Sequence, residues 1–492
     1  MLFMSRRRLS GTAVFILNTL SIVVLLYVSL YVLKKTGVFR QQSEETLSDE
    51  ICPASCLNDD LTAESTAVET TPTSYYSAVE ATQPTVKPWD SSYYVRGTPG
   101  PNFRDNLLKD KSYLTAWCLG GFTNLFMCQV NMIYLGIISD RIPVLPPFSP
   151  SHHISDEAGI LAFGDVFNLT HLRDVLQSPV IEWSDIKTPL KKLGDPSASW
   201  ETIGCWSVRS RDVGEPSPDY NFARSLALDA SYTRVPDQMY RSSDLDEGHT
   251  NFWNLASLIY PVQPAFGDQT FPLLKASGKG EREPPDRHLT CIDTLYYVGS
   301  GADSFEWFRP WSPAWRTVGK HLRFTDHMEK LGKEHASRVF DVAPNELPPF
   351  IAVHVRHGDF KGNCWATDVI KECYADLAAF ARRVEEMQAE LREKLGLDVI
   401  HVIISSDEKD EEFWEEVDDL GWGYVDHEQE GTIKMYGEWY GPIIDIVIHS
   451  LAVGFVGTDG STLSLVSHRR VEDWNNGVTR MVKWGYAGAD NH

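Results

Sequence analysis

Twenty-two successive residues without a charge, 12–33 (TAVFILNTLSIVVLLYVSLYVL), constrain this chain more than any other feature. As a helix they would span about 33 Å, close to the thickness of a bilayer core. A cleaved secretory signal has a shorter apolar centre and a small-residue cleavage site, and no such site is evident here. We therefore expect a transmembrane anchor at 12–33 after a short tail, 1–11. Arg6, Arg7 and Arg8 precede the span and Lys34, Lys35 and Arg40 follow it. The positive-inside rule is thus tied at three against three. A short tail, one span and a large remainder is the plan of a single-pass type II protein.

The next segment changes character. Residues 41–92 hold 16 Ser or Thr, ten acids and one base, Lys87. Such a stretch buries too little apolar surface to fold alone, so 34–108 is expected to be a disordered acidic stem. Cys52 and Cys56 within it suit a local or interchain disulfide better than a metal site. The whole chain carries 45 basic and 68 acidic residues, net −23. That excludes a general nucleic-acid binder, which needs basic clusters on its surface.

From about Lys109 the pattern is globular. Residues 113–119 (YLTAWCL) predict a strand, Gly120 and Gly121 a turn, 124–139 a helix and 142–145 (IPVL) a second strand. This unit implies a parallel pair. The stretch 150–345 is rich in Pro, Trp and Asp and yields no clear elements. The alternation returns with strands at 350–355, 398–405 and 454–456, and helices at 375–395, 409–419, 442–451 and from 461. The expected fold class is α/β, with two Rossmann-like domains facing a cleft, 109–345 and 346–492. Ligands of such sheets bind beyond the carboxyl ends of the strands.

The residues at those ends carry chemistry. After 350–355 come Arg356, His357, Gly358 and Asp359, with His354 inside the strand. An Arg there can fork onto phosphate oxygens and neutralise a departing leaving group, and Asp359 can orient it. A structural Arg–Asp pair at a turn is the plainer alternative. After 113–119, Gly120 and Gly121 let the backbone approach a ligand, and Asn124 opens a helix whose N–H groups favour an anion. After 454–456, Thr458, Ser461 and Thr462 precede a helix, where they are either ordinary caps or phosphate contacts.

Together these segments resemble the GDP-fucose-dependent protein O-fucosyltransferase superfamily. The central His-x-Arg-x-x-Asp motif is similar to His354-Val355-Arg356-His357-Gly358-Asp359. Gly120-Gly121-Phe122-Thr123-Asn124-Leu125 resembles an N-terminal Gly-x-Phe-Gly-Asn-Gln segment, with Thr123 and Leu125 as departures. Arg141 to Pro147 and Phe455 to Thr458 match two further segments, and Asp445 matches an acid before the paired hydroxyls. The resemblance implies a GT-B fold and metal-independent, inverting transfer of fucose from GDP-fucose, with no cofactor. Arg356 would engage the β-phosphate and stabilise the leaving GDP. His354 would touch the same diphosphate, Asp445, Ser461 and Thr462 would hold guanosine and phosphates, and Asn124 would position donor or acceptor. Asp359 and Glu157 are the candidate bases.

A transferase with a stem and one anchor implies a Golgi or endoplasmic-reticulum membrane protein with a luminal catalytic part. That compartment is oxidising, which suits eight Cys; Cys118 with Cys128 and Cys364 with Cys373 are the closest candidate pairs. Asn168-Leu169-Thr170 is a glycosylation sequon. Partners would be a GDP-sugar, a protein or glycan acceptor and the membrane. Two alternatives stand: a histidine phosphatase acting through Arg356-His357-Gly358, and an anchored glycan- or nucleotide-sugar-binding protein without turnover.

Overall fold

The computed structural model describes residues 87–492, apart from 152, 191–197, 209–215, 217–219, 241–249, 302–305, 365–372 and 492. The expected anchor, most of the expected stem, Cys52 and Cys56 lie outside the described residues. Among the described residues no helix is long and apolar enough to cross a membrane.

The first half contains β1 Tyr113–Ala116, α1 Phe122–Ile138, β2 Ile142–Leu145, β3 Ile181–Glu182, β4 Glu201–Ser207, β5 Leu228–Arg234, β6 Leu273–Lys275 and β7 Leu289–Ile292. These strands form one sheet in the order β3-β2-β1-β7-β4-β5-β6. Its pairs are parallel except β5 with β6. The expected β1–β2 pair is present, with Tyr113 opposite Ile142. β1 stops at Ala116, three residues before its expected end. α1 is buried nearly all round, as suits an apolar helix in the centre of a core. Residues 150–345, unassigned from sequence, supply five of the seven strands.

The second half contains α2 Asp326–Val339, β8 Phe350–Val355, α3 Leu377–Leu395, β9 His401–Ser406, α4 Glu411–Asp419, α5 Tyr440–Leu451, β10 Gly454–Thr458, α6 Thr462–Asn475 and β11 Val478–Val482. Its sheet runs β11-β10-β8-β9, all parallel. All six residues of β8 are buried, as a central parallel strand covered on both faces requires. α3 is delimited by its caps: Asp376 accepts from the Ala379 N–H at 2.9 Å, and Gly396 closes the helix at φ +66°.

Two expected boundaries move. Packing begins before Lys109, because Phe103 and Leu107 are fully buried in an otherwise polar stretch. Phe103 meets Trp183 edge to face at 5.4 Å, and its N–H donates to Glu201. The expected stem therefore ends upstream of residue 103. The division at 345/346 follows the prolines Pro344, Pro348 and Pro349, but packing does not. α2 lies before that division yet packs on α5, so closely that a Cβ on Gly332 would meet Val447 Cγ1 at 2.4 Å. One apolar cluster joins Leu114, Leu125 and Phe167 of the first half to Phe350, Ile443 and Phe455 of the second.

Candidate active site

In the second sheet the chain leaves β8 for β9 on one side and returns to β10 on the other. The order reverses at the carboxyl end of β8, which is where an open α/β sheet leaves a crevice for a ligand. Arg356 is the first residue after β8. Its backbone N–H donates to Thr458 Oγ1 at 2.9 Å, and that hydroxyl donates to the His354 carbonyl at 3.2 Å. Thr458 is therefore a clamp between β8 and β10, with its hydroxyl used inside the protein.

The Arg356 guanidinium is held on three sides. Nη1 lies 2.7 Å from Asp407, Nη2 lies 2.6 Å from Asp359, and Nη2 also donates to His153 Nε2 at 2.9 Å. The two carboxylates differ: Asp359 is 58% exposed and Asp407 27%. Asp407 also accepts the His357 N–H at 2.9 Å. Gly358 makes that approach possible, since a Cβ there would stand 2.2 Å from Asp407 Oδ2. Asp407 follows β9 directly. Sequence reasoning singled out that position, after Ser405, without naming the residue.

His354 is buried, and its Nδ1 lies 2.8 Å from Ser464 Oγ. Burial drives its pKa well below the ordinary value, with His449 and Arg356 adding to the effect. It is neutral, and Ser464 Oγ already accepts the Thr458 N–H at 3.1 Å. Ser464 thus ties the His354 ring to the backbone of β10. Through Nδ1, His354 supports β10 and α6.

Ser461 caps α6 by accepting from Ser464 N at 3.4 Å, and Thr462 is the first, half-buried helical residue. The open N–H groups of this turn lie beside Thr458, at the same rim as Arg356. Trp484, which sequence reasoning missed, pins this rim. It stacks on Phe360 at 4.7 Å and donates to the Asp459 carbonyl at 2.8 Å. Cys364 and Cys373 are disulfide-bonded and close the turn after Arg356.

Asp445 on α5 sits in a separate network. It pairs with His427 Nε2 at 3.1 Å, and His427 Nδ1 contacts Thr432 at 3.0 Å. Burial acts to lower the His427 pKa, but the hydrogen bond and charge of Asp445, helped by Glu430, raise it above the ordinary value. His427 follows residues that extend β9, through the Ile403–Gly423 bridge, so this pair also stands at the carboxyl rim.

The rim of β1 carries the second group. Gly120 has φ +104°, a conformation that disfavours any side chain. A Cβ there would also lie 2.7 Å from Asn124 Nδ2, because the Asn124 side chain folds back over the turn. Gly121 caps α1. Asn124 Oδ1 is buried with no hydrogen-bond partner. The Cys118–Cys128 disulfide staples the end of β1 to α1 across this turn. The third bridge, Cys205–Cys291, was not anticipated, because only the β4–β7 register brings residues 86 apart in sequence together.

The halves meet between these rims. Besides the Arg356–His153 contact, Ser155 binds Glu438 at 2.8 Å and 2.5 Å, and Trp439 donates to the Gly159 carbonyl at 2.9 Å. The candidate base Glu157 is exposed on this same loop; Asp359 is tied to Arg356. His357 is stacked on Tyr374 at 4.2 Å, and its Nε2 is buried without a partner. It is not presented as a phosphoryl acceptor, which removes the phosphatase alternative. Asn168 caps a short helix through Oδ1, accepting from His171 N at 2.9 Å. Among the described residues no three His, Cys, Asp or Glu stand together as a metal site.

Two largely parallel α/β sheets carry their switch-point loops toward each other, with a fixed guanidinium on one, the layout of an α/β enzyme that binds its ligand between two rims. The family model described as GDP-fucose protein O-fucosyltransferase matches residues 113–472, and the chain belongs to that family. It is a fucosyltransferase-like enzyme. Among solved structures, POFUT1 in its apo form is 16% identical, with 76% of this chain and 98% of that chain covered and a TM-score of 0.46. POFUT1 with GDP-fucose is 16% identical over 75% and 98%, also at 0.46. The fucosyltransferase NodZ from Bradyrhizobium is 15% identical over 73% and 92%, at 0.36. No curated protein sequence matches the chain.

Proposed function

We propose that this protein transfers fucose from GDP-fucose, with inversion and without a metal, to a hydroxyl of a protein or glycan. The observation that carries this reading is Arg356 at the switch point of the second sheet, beside the open first turn of α6. In the transfer, the acceptor oxygen forms a bond to the anomeric carbon from the face opposite GDP. The bond from that carbon to the β-phosphate oxygen breaks, and its electron pair leaves with GDP. Arg356 and the α6 N–H groups meet the charge that develops there. The acceptor proton passes to a carboxylate, for which Glu157 is the candidate because its loop touches Arg356 through His153.

Arg356 is shared by two carboxylates before any donor arrives. The exposed Asp359 is the one that yields to a diphosphate, while Asp407 keeps the guanidinium aligned. Asp445, Ser461, Thr462, Gly120, Gly121 and Asn124 complete the donor and acceptor contacts in this reading, and the His427–Asp445 pair stands where the nucleoside would lie. We place the protein in a Golgi or endoplasmic-reticulum membrane, anchored by 12–33. The support is the apolar run and, more weakly, three disulfides and the sequon, whose Asn168 keeps Nδ2 outside its capping bond.

The test is Arg356→Lys in the purified full-length protein, read as GDP release from GDP-fucose. Lysine keeps the charge and loses the planar fork. Turnover should fall on the order of 10²-fold or more, GDP affinity should fall less, and the fold should persist. Unchanged turnover would overturn the assignment.

A further inference from the structure

A cavity of about 840 Å³ opens at the amino-terminal edge of the first sheet, away from the rims described above. Ser112, Arg141 and Asp286 line it from just before β1, β2 and β7. Its volume lies within the roughly 300–1,000 Å³ of small-molecule sites. Its outer wall is the loop 260–271. Trp206 of β4 meets Phe271 edge to face at 5.8 Å, and Phe271 meets Phe266 at 5.4 Å.

The charges in this lining argue against an anion. Arg141 is buried and spent on three backbone carbonyls, those of Ile259, Tyr113 and Arg287. Arg287 is held by Asp268 at 2.6 Å and by the Gly267 carbonyl at 3.0 Å. Asp286 is paired with Arg104, and Glu283 adds a further carboxylate. The guanidiniums are thus engaged and carboxylates are in excess, which disfavours a nucleotide or a phosphate. Gln263, Gln269 and Thr270 offer neutral donors and acceptors beside the aromatic edges. Aromatic surface for C–H faces, with planar amides and carboxylates for neighbouring hydroxyls, matches a neutral sugar ring.

We propose that this cavity is a carbohydrate-binding site, distinct from the donor site, that takes a short neutral oligosaccharide. The inference does not depend on the reading of Arg356. The purified full-length protein would be screened by saturation-transfer NMR against mannotriose, triacetylchitotriose and N-acetyllactosamine, with a proline-rich decapeptide as counter-probe. At least one oligosaccharide should bind at millimolar concentration. Phe271→Ala should weaken it roughly tenfold or more, as loss of a central aromatic contact does. Asp268→Ala, at a side chain 94% exposed, is the milder variant and should also weaken it with circular dichroism unchanged. Arg356→Lys should leave it intact. The proposal fails if no saccharide binds, if only the peptide binds, or if binding is untouched by both cavity variants. It fails equally if binding is lost in Arg356→Lys, which would assign it to the donor site.

Discussion

The rims of β8 and β1 both lie at switch points, yet they are built in opposite ways. At β8 the side chain of Arg356 has protein partners on three sides and the Thr458 hydroxyl both gives and accepts. At β1 the Asn124 Oδ1 is buried and alone. A buried acceptor without a donor costs about 1–3 kcal/mol. The Arg356 guanidinium is thus set before a ligand arrives, whereas the Asn124 Oδ1 has no donor among the described residues. The contrast separates alignment from recognition: carboxylates fix the cation, and the amide waits.

Changing what aligns the cation should have the largest effect. Asp407→Ala removes a charge-assisted bond to Arg356 and the acceptor of the His357 N–H. Turnover of GDP-fucose should fall on the order of 10²-fold, whereas Asp359→Ala should cost roughly tenfold less. Equal losses in the two variants would show that neither carboxylate is the one that yields. Each rim also has a covalent tie, closing loops of similar length, with separations of 10 and 9 residues. Replacing Cys118 and Cys128 by Ser, or Cys364 and Cys373, should therefore cost about the same, roughly 2–3 kcal/mol. Unfolding midpoints of the two double variants would check this, and a tie that proved far more costly would break the symmetry.

A smaller effect comes from the buried histidines behind the β8 rim. Burial lowers the His449 pKa to about 4, and its ring is held by Ser405 and Ser467. A histidine kept neutral in the fold takes up protons more readily when unfolded. Its contribution is complete above about pH 6.5 and is lost as pH falls toward 4. Between pH 7 and pH 5 this residue alone should remove about 2 kcal/mol of stability. His449→Gln should flatten that part of the profile, measured by denaturation at several pH values. His427 works in the other direction: its raised pKa makes the Asp445 pair strongest below pH 6.5 and weaker as pH rises through the folded value. The smallest loss of stability should come from Asn124→Ala. It deletes a buried acceptor with no partner, so the fold should be no less stable by thermal unfolding, while turnover falls clearly. A large loss of stability there would mean that Asn124 is a structural residue and would erase the contrast between the rims.

The parts read correctly from sequence share a physical trait. β2 and β8 match their expected bounds, and α1, α3, α4, α5 and α6 appear within a few residues, because their apolar periodicity and caps are local. The stretch from 150 to 345 had no such pattern. There β7 inserts between β1 and β4, a placement that no local run of residues encodes. Of the site, Arg356, Asp359, Gly120 and Asn124 were legible from motif and strand end. Asp407, Ser464 and Trp484 were not, because their roles come from contacts with residues 51, 110 and 124 positions away. Ser464 could have been suspected from its place in the first turn of a helix next to Ser461.

The chain alone determined the family, the residue at the end of β8 and the alternation of strands and helices, since motif and periodicity are properties of neighbours in sequence. Tertiary structure decided which of those residues remain available to a ligand. Thr458 belongs to a motif segment, yet its hydroxyl is consumed by the Arg356 N–H and the His354 carbonyl, and Nδ1 of His354 is taken by Ser464. It also joined Cys205 to Cys291. It packed Arg470 of α6, whose pKa burial lowers to about 9, among Phe126, Phe167, Phe324 and Trp474 at 4.7–5.5 Å. Burial and pairing are sums over groups distant in the chain, so they come into being only when the sheets and helices have been brought together.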